Sequence, residues 1–190
     1  NPDGYIHNLN DLTKLIRPNR LVIVDEAFAD TNPDCSVISA TGDTDLFVLR
    51  SFEKFFGLAG AQLGFAITSQ TLARRLSLAL GPWAVNGPTM AIAAKAFADT
   101  DWIAKTHLRL QEDATQLDSI VTPRLGIMLG GTNLFRLYEI ADAIMYIKLA
   151  SKGILTRAFA GKPKTLRFGL PAKKKDFERL KGRYLKQLPR

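Results

Sequence analysis

The sequence predicts an α/β protein. Three observations carry that expectation. The apolar run Leu21-Val22-Ile23-Val24 ends in the acidic pair Asp25-Glu26. Two further strand-like runs, Leu46–Arg50 and Leu63–Ile67, enter and leave a loop that holds Lys54. Between and beyond them, Thr71–Leu80 and Pro88–Ile120 carry apolar residues at helical spacing.

Taken in order, Asn1-Pro2-Asp3-Gly4 is a strong turn signal. Asn10 to Ile16 predicts a short helix with Asn10 or Asp11 at its N-cap and Pro18 just past its end. The strand over 21–25 reads as a buried parallel strand with a carboxylate at its C-terminal end, where open α/β sheets place their sites. The polar stretch Asp30–Asp45, with Pro33 and Gly42, predicts a loop with room for one helical turn. Strands over 46–50 and 63–68 flank the lysine loop, and Gly81-Pro82 breaks the helix that follows. Pro88–Ile120 predicts one or two long helices hinged near Asp99-Thr100-Asp101, and Pro123 and Gly126 mark a boundary. Beyond it the pattern predicts a strand over 132–137, an amphipathic helix over 139–151 closed by Gly153, strands over 154–158 and 165–169, and a final helix over 173–188.

Composition narrows the function classes. The chain has 190 residues, of which 46% are hydrophobic, enough for a core. No apolar run is long enough to cross a bilayer, which argues against a membrane role. A single cysteine, Cys35, excludes an internal disulfide and a cysteine-based metal site, and fits a cytoplasmic setting. His7 and His107 lie far apart without a ligand pattern, so no metal is expected. The net charge of +8 favours anionic partners. The basic residues are nevertheless spread out. The densest run, Lys173-Lys174-Lys175, is interleaved with Asp176 and Glu178 like the solvated face of a terminal helix. Without an aromatic-interleaved basic patch, no nucleic acid is expected, and phosphorylated small molecules account for the charge equally well.

Lys54 sits among Phe52, Phe55 and Phe56, with Gly57, Gly60 and Gly64 close behind. A solvated lysine titrates at about 10.4 and is a poor nucleophile at neutral pH. Desolvated in such a setting it would shed its charge and attack a carbonyl or form a Schiff base. Taken alone, a lysine that snorkels at a strand end is the plainer reading. The order Asn1, Asp25, Lys54, Arg167, each in a setting that suits a site residue, shifts the weight to function.

The ordered motifs are Asn-Pro-Asp-Gly at 1–4, Val-Asp-Glu-Ala-Phe-Ala-Asp at 24–30 and Arg-Ser-Phe-Glu-Lys-Phe-Phe-Gly-Leu-Ala-Gly at 50–60. Gly-Gly-Thr-Asn-Leu-Phe-Arg-Leu at 130–137, Leu-Thr-Arg-Ala-Phe at 155–159 and Leu-Arg-Phe-Gly-Leu-Pro at 166–171 follow. This set resembles the fold-type I pyridoxal-phosphate enzymes of the class I/II aminotransferase family, and within it the branch of threonine-phosphate decarboxylases and histidinol-phosphate aminotransferases. The resemblance covers about the second half of such an enzyme. It implies part of a large cofactor domain with a mixed, mostly parallel sheet over 1–86, linking helices over 87–121, and a small α+β C-terminal domain over 122–190. It further implies pyridoxal 5'-phosphate as cofactor and a small phosphorylated amino acid as substrate. A homodimer is implied once the missing N-terminal half is present. The implied reaction is decarboxylation of L-threonine O-3-phosphate for cobalamin biosynthesis. Transamination of the histidinol-phosphate type uses the same machinery.

Residue by residue, the resemblance makes Lys54 the Schiff-base lysine and proton shuttle and Asp25 the partner of the pyridinium nitrogen. Asn1 becomes a donor to the ring hydroxyl oxygen. Phe28 stands where many relatives carry a tyrosine, and Ser51 matches a donor to the cofactor phosphate. Arg167 matches the fork for the substrate α-carboxylate, and Arg157 an arginine that helps hold the substrate phosphate. Arg136 reads better as a solvent-facing strand residue.

Two positions depart from the family pattern. Gln62 replaces a phosphate-gripping arginine, which removes a charge-assisted contact worth about 1.5–3 kcal/mol. Glu53 replaces a small residue beside the lysine and sets a carboxylate near an anionic cofactor. With the first half of the family's fold missing, the sequence predicts a truncated product with weakened cofactor binding and poor activity. The rival expectation is a degenerate relative that acts as an interaction module through an uncovered sheet edge.

Overall fold

A computed structural model describes residues 3–184. Two compact units emerge, one formed by Ile6–Ile103 and the other by residues 3–5 together with the chain from Ala104 onward.

In the first unit the alternation of apolar residues sets a three-stranded sheet in the order β1 (Val22–Asp25), β2 (Leu46–Ser51), β3 (Gly64–Thr68). β1 runs parallel to β2, with Asp25 opposite Leu49, and β3 is antiparallel to β2. Leu46 and Val48 are buried and cluster with Val22, Val24 and Ile67 on one face, where Val37 of the intervening loop closes over them. Leu12 and Ile16, from and just after the short helix α1 (Leu9–Thr13), add to that cover. The N-cap of α1 is Asn8, two residues before Asn10 and three before Asp11, the two predicted caps.

β1 is parallel as expected, but it is not buried on both faces. Ile23 is 59% exposed, and β1 pairs with β2 alone among the described strands. An apolar run by itself does not report how many layers cover it. The 30–45 loop winds through three short 3₁₀ turns, Ala29–Thr31, Pro33–Cys35 and Ile38–Ala40, rather than one helical turn.

The chain then forms α2 (Phe52–Phe56), α3 (Gln70–Leu80) and α4 (Gly87–Ala98). Asn86 caps α4 by accepting from the Thr89 amide at 2.9 Å. The expected hinge falls at Asp99, which leaves the helical region and caps α5 (Thr100–Leu125) by accepting from the Trp102 amide at 3.0 Å. The boundary between the two units lies inside α5.

The second unit is an antiparallel sheet in the order β4 (Gly126–Thr132), β5 (Phe135–Ile140), β7 (Lys162–Gly169), β6 (Arg157–Phe159). α5 lays Leu110, Ala114, Leu117 and Val121 inward at helical spacing. The core of this unit joins Leu117 and Val121 to Tyr138, Leu166 and Phe168, with Phe177 from α7 (Lys174–Arg179). Two expectations change here. The strand expected over 132–137 is the second arm of a β4–β5 hairpin. The helix expected over 139–151 shrinks to α6 (Met145–Ala150), because Glu139 and Ile140 belong to β5 and pair with β4. The hairpin needs glycine at 126, where an added Cβ would overlap the Glu139 carbonyl oxygen. α7 continues only as a π turn, Leu180–Tyr184, within the described residues.

Candidate active site

The cofactor-side residues named from sequence lie on two segments of the first unit, apart from Asn1, which is outside the described residues. Asp25 is the last residue of β1. Its carboxylate is exposed and accepts from the Ala27 amide at 2.9 Å, shaping the turn that leads to Phe28. Ser51 ends β2 and stands at the N-cap of α2, and its half-buried hydroxyl makes no capping hydrogen bond. Because β1 and β2 are parallel neighbours, both residues sit at the same end of the sheet.

Lys54 rides on α2, a single turn closed by Gly57 in the left-handed conformation (φ 69°). Its amine is ion-paired with Glu53 and lies 5.9 Å from the centre of the Phe28 ring. That contact brings the lysine to the loop leaving β1. The lysine is not desolvated, contrary to the sequence expectation, since 36% of its side chain is exposed. The aromatics around it explain the difference. Phe52 and Phe55 turn inward and are buried, Phe52 against Phe97 and Phe55 against Trp102, while Lys54 projects from the opposite side of the helix. Gln62 is exposed and holds a left-handed backbone (φ 50°) at the end of the turn before β3.

The two substrate-side arginines belong to the second unit, where they face one another across β6 and β7 as a registered pair, Arg157 opposite Arg167. Arg157 is exposed, with its guanidinium 5.8 Å from the Phe159 ring centre, and Arg167 is half-buried, 4.7 Å from that of Phe135. Burial, and then the neighbouring Arg157 charge, draw the Arg167 pKa below its ordinary value. Two cations held side by side on aromatic platforms suit a doubly anionic ligand.

Sequence reasoning missed the buried acid of this region. Glu26, not Asp25, is the buried carboxylate at the end of β1, at 6% exposure. It accepts from the Val37 amide at 2.6 Å and from the Ser36 hydroxyl at 2.7 Å, and its Oε2 lies 3.1 Å from Arg50 Nε. The available signal was Arg50 itself, a cation ending an apolar strand, which requires a counter-charge in the interior. Arg136 is likewise not solvent-facing. Its Nε reaches both oxygens of Asp118 at 3.0 and 3.2 Å, and the same carboxylate accepts from the Tyr138 hydroxyl at 2.6 Å. Burial and that acceptor push the Tyr138 pKa far up. This network ties α5 to β5 and is structural. Among the described residues no cluster of His, Cys, Asp and Glu could hold a metal ion, and no helix is long and apolar enough to cross a membrane.

Residues 1–180 match the profile of the family "Aminotransferase class I and II". The chain belongs to that family. A relative from Pseudomonas aeruginosa named threonine-phosphate decarboxylase is 39% identical over 185 residues, 95% of this chain and 56% of that protein. A histidinol-phosphate aminotransferase from Thermoanaerobacter pseudethanolicus is 30% identical over 84% of this chain and 46% of its own length. This aminotransferase-family chain thus spans about half the length of the curated relatives it matches. The crystal structure of histidinol-phosphate aminotransferase from Sinorhizobium meliloti in complex with pyridoxal-5'-phosphate superposes with a TM-score of 0.84 at 21% identity, covering 98% of this chain and 54% of that one. The fold is therefore part of the fold-type I architecture.

Proposed function

We propose that the residues of this chain serve the pyridoxal-phosphate-dependent decarboxylation of L-threonine O-3-phosphate to (R)-1-aminopropan-2-yl phosphate, a step of cobalamin biosynthesis. The observation that carries the reading is the similarity to the Pseudomonas threonine-phosphate decarboxylase along nearly the whole chain. The residues present fit the cofactor in kind. An amine, an exposed carboxylate and a hydroxyl without a capping bond stand at neighbouring strand ends of one sheet. The cofactor, when bound, supplies an electron sink for cleavage of a bond at the substrate α-carbon.

The chain's own residues do the rest. Lys54 would hold the cofactor through its amine and, once the substrate amino group has taken its place, would deliver a proton from Nζ to the α-carbon. Asp25 keeps the pyridine nitrogen protonated by facing it with a negative charge. Asn1 donates to the ring oxygen, Phe28 packs beside the lysine, and Ser51 and Gln62 donate to the cofactor phosphate. Arg167 grips the substrate carboxylate and Arg157 its phosphate, a division that suits their registered pairing. In this reading 1–86 is part of the cofactor domain, 87–121 links the domains and 122–190 is the small domain. A homodimer in the cytoplasm goes with the complete fold.

Two other readings have support of their own. Similarity to the Thermoanaerobacter enzyme supports transamination of the histidinol-phosphate type. The Glu53–Lys54 ion pair and the neutral Gln62 support a non-catalytic relative that acts as an interaction module. One experiment separates them. The chain is incubated with pyridoxal phosphate, reduced with borohydride, and the modified lysine is mapped by peptide mass spectrometry. Trapping on Lys54, together with carbon dioxide release from O-phosphothreonine by an unreduced sample given the cofactor, supports the decarboxylase. Trapping with amino transfer to 2-oxoglutarate and no carbon dioxide supports the aminotransferase. No trapping on Lys54 removes both catalytic readings.

A further inference from the structure

Arg50 contacts three polar side chains, Glu26, Asp30 and Ser36, and no role assigned above uses it. It is the penultimate residue of β2, immediately before Ser51 and four residues before Lys54. Its guanidinium turns toward the loop that leaves β1. Nη1 donates to Asp30 Oδ1 at 2.6 Å and Nη2 to the Ser36 hydroxyl at 3.3 Å. Nε lies 3.1 Å from Glu26 Oε2 but is not aligned to donate, so that contact is an ion pair rather than a hydrogen bond. Only 14% of the arginine side chain and 5% of the Glu26 side chain are exposed. The three partners span residues 26 to 36, the stretch that follows Asp25 and includes Phe28. Ser36 and Glu26 are bonded to one another as well, and the Val37 amide donates to Glu26. The loop is thereby cross-braced on a single planar cation.

We infer that Arg50 is a positioning residue: by holding Glu26, Asp30 and Ser36, it fixes the loop that carries Asp25 and Phe28 against the turn that carries Ser51 and Lys54. Backbone pairing joins β1 to β2 only as far as Asp25–Leu49 and the Glu26 amide to the Leu49 carbonyl, and the Lys54–Phe28 contact lies beyond both. A planar fork that donates to two acceptors and ion-pairs with a third group can set this geometry, and a lysine ammonium at the same position cannot. Where the inference concerns cofactor affinity it rests on the pyridoxal-phosphate reading. The loop geometry does not depend on that reading.

The test uses the full chain, with Arg50→Lys retaining the charge and Asp30→Asn, a milder change, loosening one arm. Two quantities are measured well below each variant's melting temperature. The first is the dissociation constant for pyridoxal phosphate. The second, without cofactor, is the rate of reductive methylation of Lys54 relative to the exposed Lys148, read by peptide mass spectrometry. Arg50→Lys is expected to weaken cofactor binding roughly tenfold, the scale of losing an outer partner that orients a binding group. It is also expected to raise the Lys54:Lys148 labelling ratio several-fold, as Phe28 is freed from the amine. Asp30→Asn is expected to move both in the same direction by less. A lowered melting temperature with both quantities as in the parent overturns the inference and leaves a purely structural ion pair. If the parent binds no cofactor at all, the proposed function fails, and the labelling ratio alone decides the role of Arg50. An unchanged ratio overturns it.

Discussion

Substituting Gln62 by arginine tests the proposed place of this position at the cofactor phosphate. Gln62 is exposed and already holds a left-handed backbone, so glutamine and arginine incur the same conformational cost there and the fold is unaffected. The gain is a charge-assisted contact to the cofactor phosphate. Such contacts contribute about 1.5–3 kcal/mol, and exposure at this position points to the lower end. About 1.5 kcal/mol corresponds to roughly tenfold tighter binding. The assay is a spectrophotometric titration of parent and Gln62→Arg with pyridoxal phosphate, repeated with pyridoxal, which lacks the phosphate. Tightening is expected for the phosphorylated ligand only. Equal tightening for both, or for neither, refutes the assignment of this position to the phosphate.

Further outcomes follow from other contacts. Glu53→Ser releases the Lys54 amine from its ion pair and is expected to raise the yield of borohydride-trapped Lys54 at fixed cofactor concentration; an unchanged yield shows that the carboxylate does not restrain the amine. Tyr138→Phe deletes a hydrogen bond to a charged acceptor while keeping the ring packed. It is expected to cost about 1–2 kcal/mol in urea unfolding with an unchanged slope, and a loss below about 0.3 kcal/mol removes Asp118 as a structural anchor. Gly126→Ala forces a Cβ onto the Glu139 carbonyl and is expected to cost about 3 kcal/mol or to shift the hairpin; a stability equal to the parent contradicts the close approach. Burial pushes the Cys35 thiol up, with the Glu26 charge adding to it. Because the folded state holds that proton more firmly than the unfolded chain does, the associated stability is full at neutral pH and is lost as pH rises through the folded value. Cys35 alkylation should therefore rise only at pH above that of an ordinary thiol. A profile centred at or below the ordinary value contradicts the burial of the sulfur.

Much of the fold was legible in the linear pattern. The three strands that precede and flank the lysine loop stand where the apolar runs put them, and the break between α4 and α5 falls at Asp99, within the predicted hinge. The errors share a cause. The sequence pattern places the end of β5 in a helix because Glu139 and Ile140 begin an amphipathic stretch, and only pairing with β4 assigns them to the sheet. The apolar run of β1 predicts burial on both faces because composition does not report that Val22 and Val24 turn inward while Ile23 stays exposed. At the site, the family resemblance singles out Asp25, Ser51 and Lys54, which the structure sets at and just beyond neighbouring strand ends. It could not show that Lys54 is part-exposed and paired with its own neighbour, because side-chain direction on a one-turn helix depends on which face the core takes.

Residue identity and order were sufficient to establish family membership and the kind of chemistry on offer, since an amine, a carboxylate and paired guanidinium groups keep their reactivity wherever the chain places them. Partnership was settled only in three dimensions. Glu26 answers Arg50 from twenty-four positions upstream, and Asp118 answers Arg136 and Tyr138 from another element. A charge becomes a brace or a binding group according to what it meets in the interior, and contacts between distant residues leave no periodic trace along the chain.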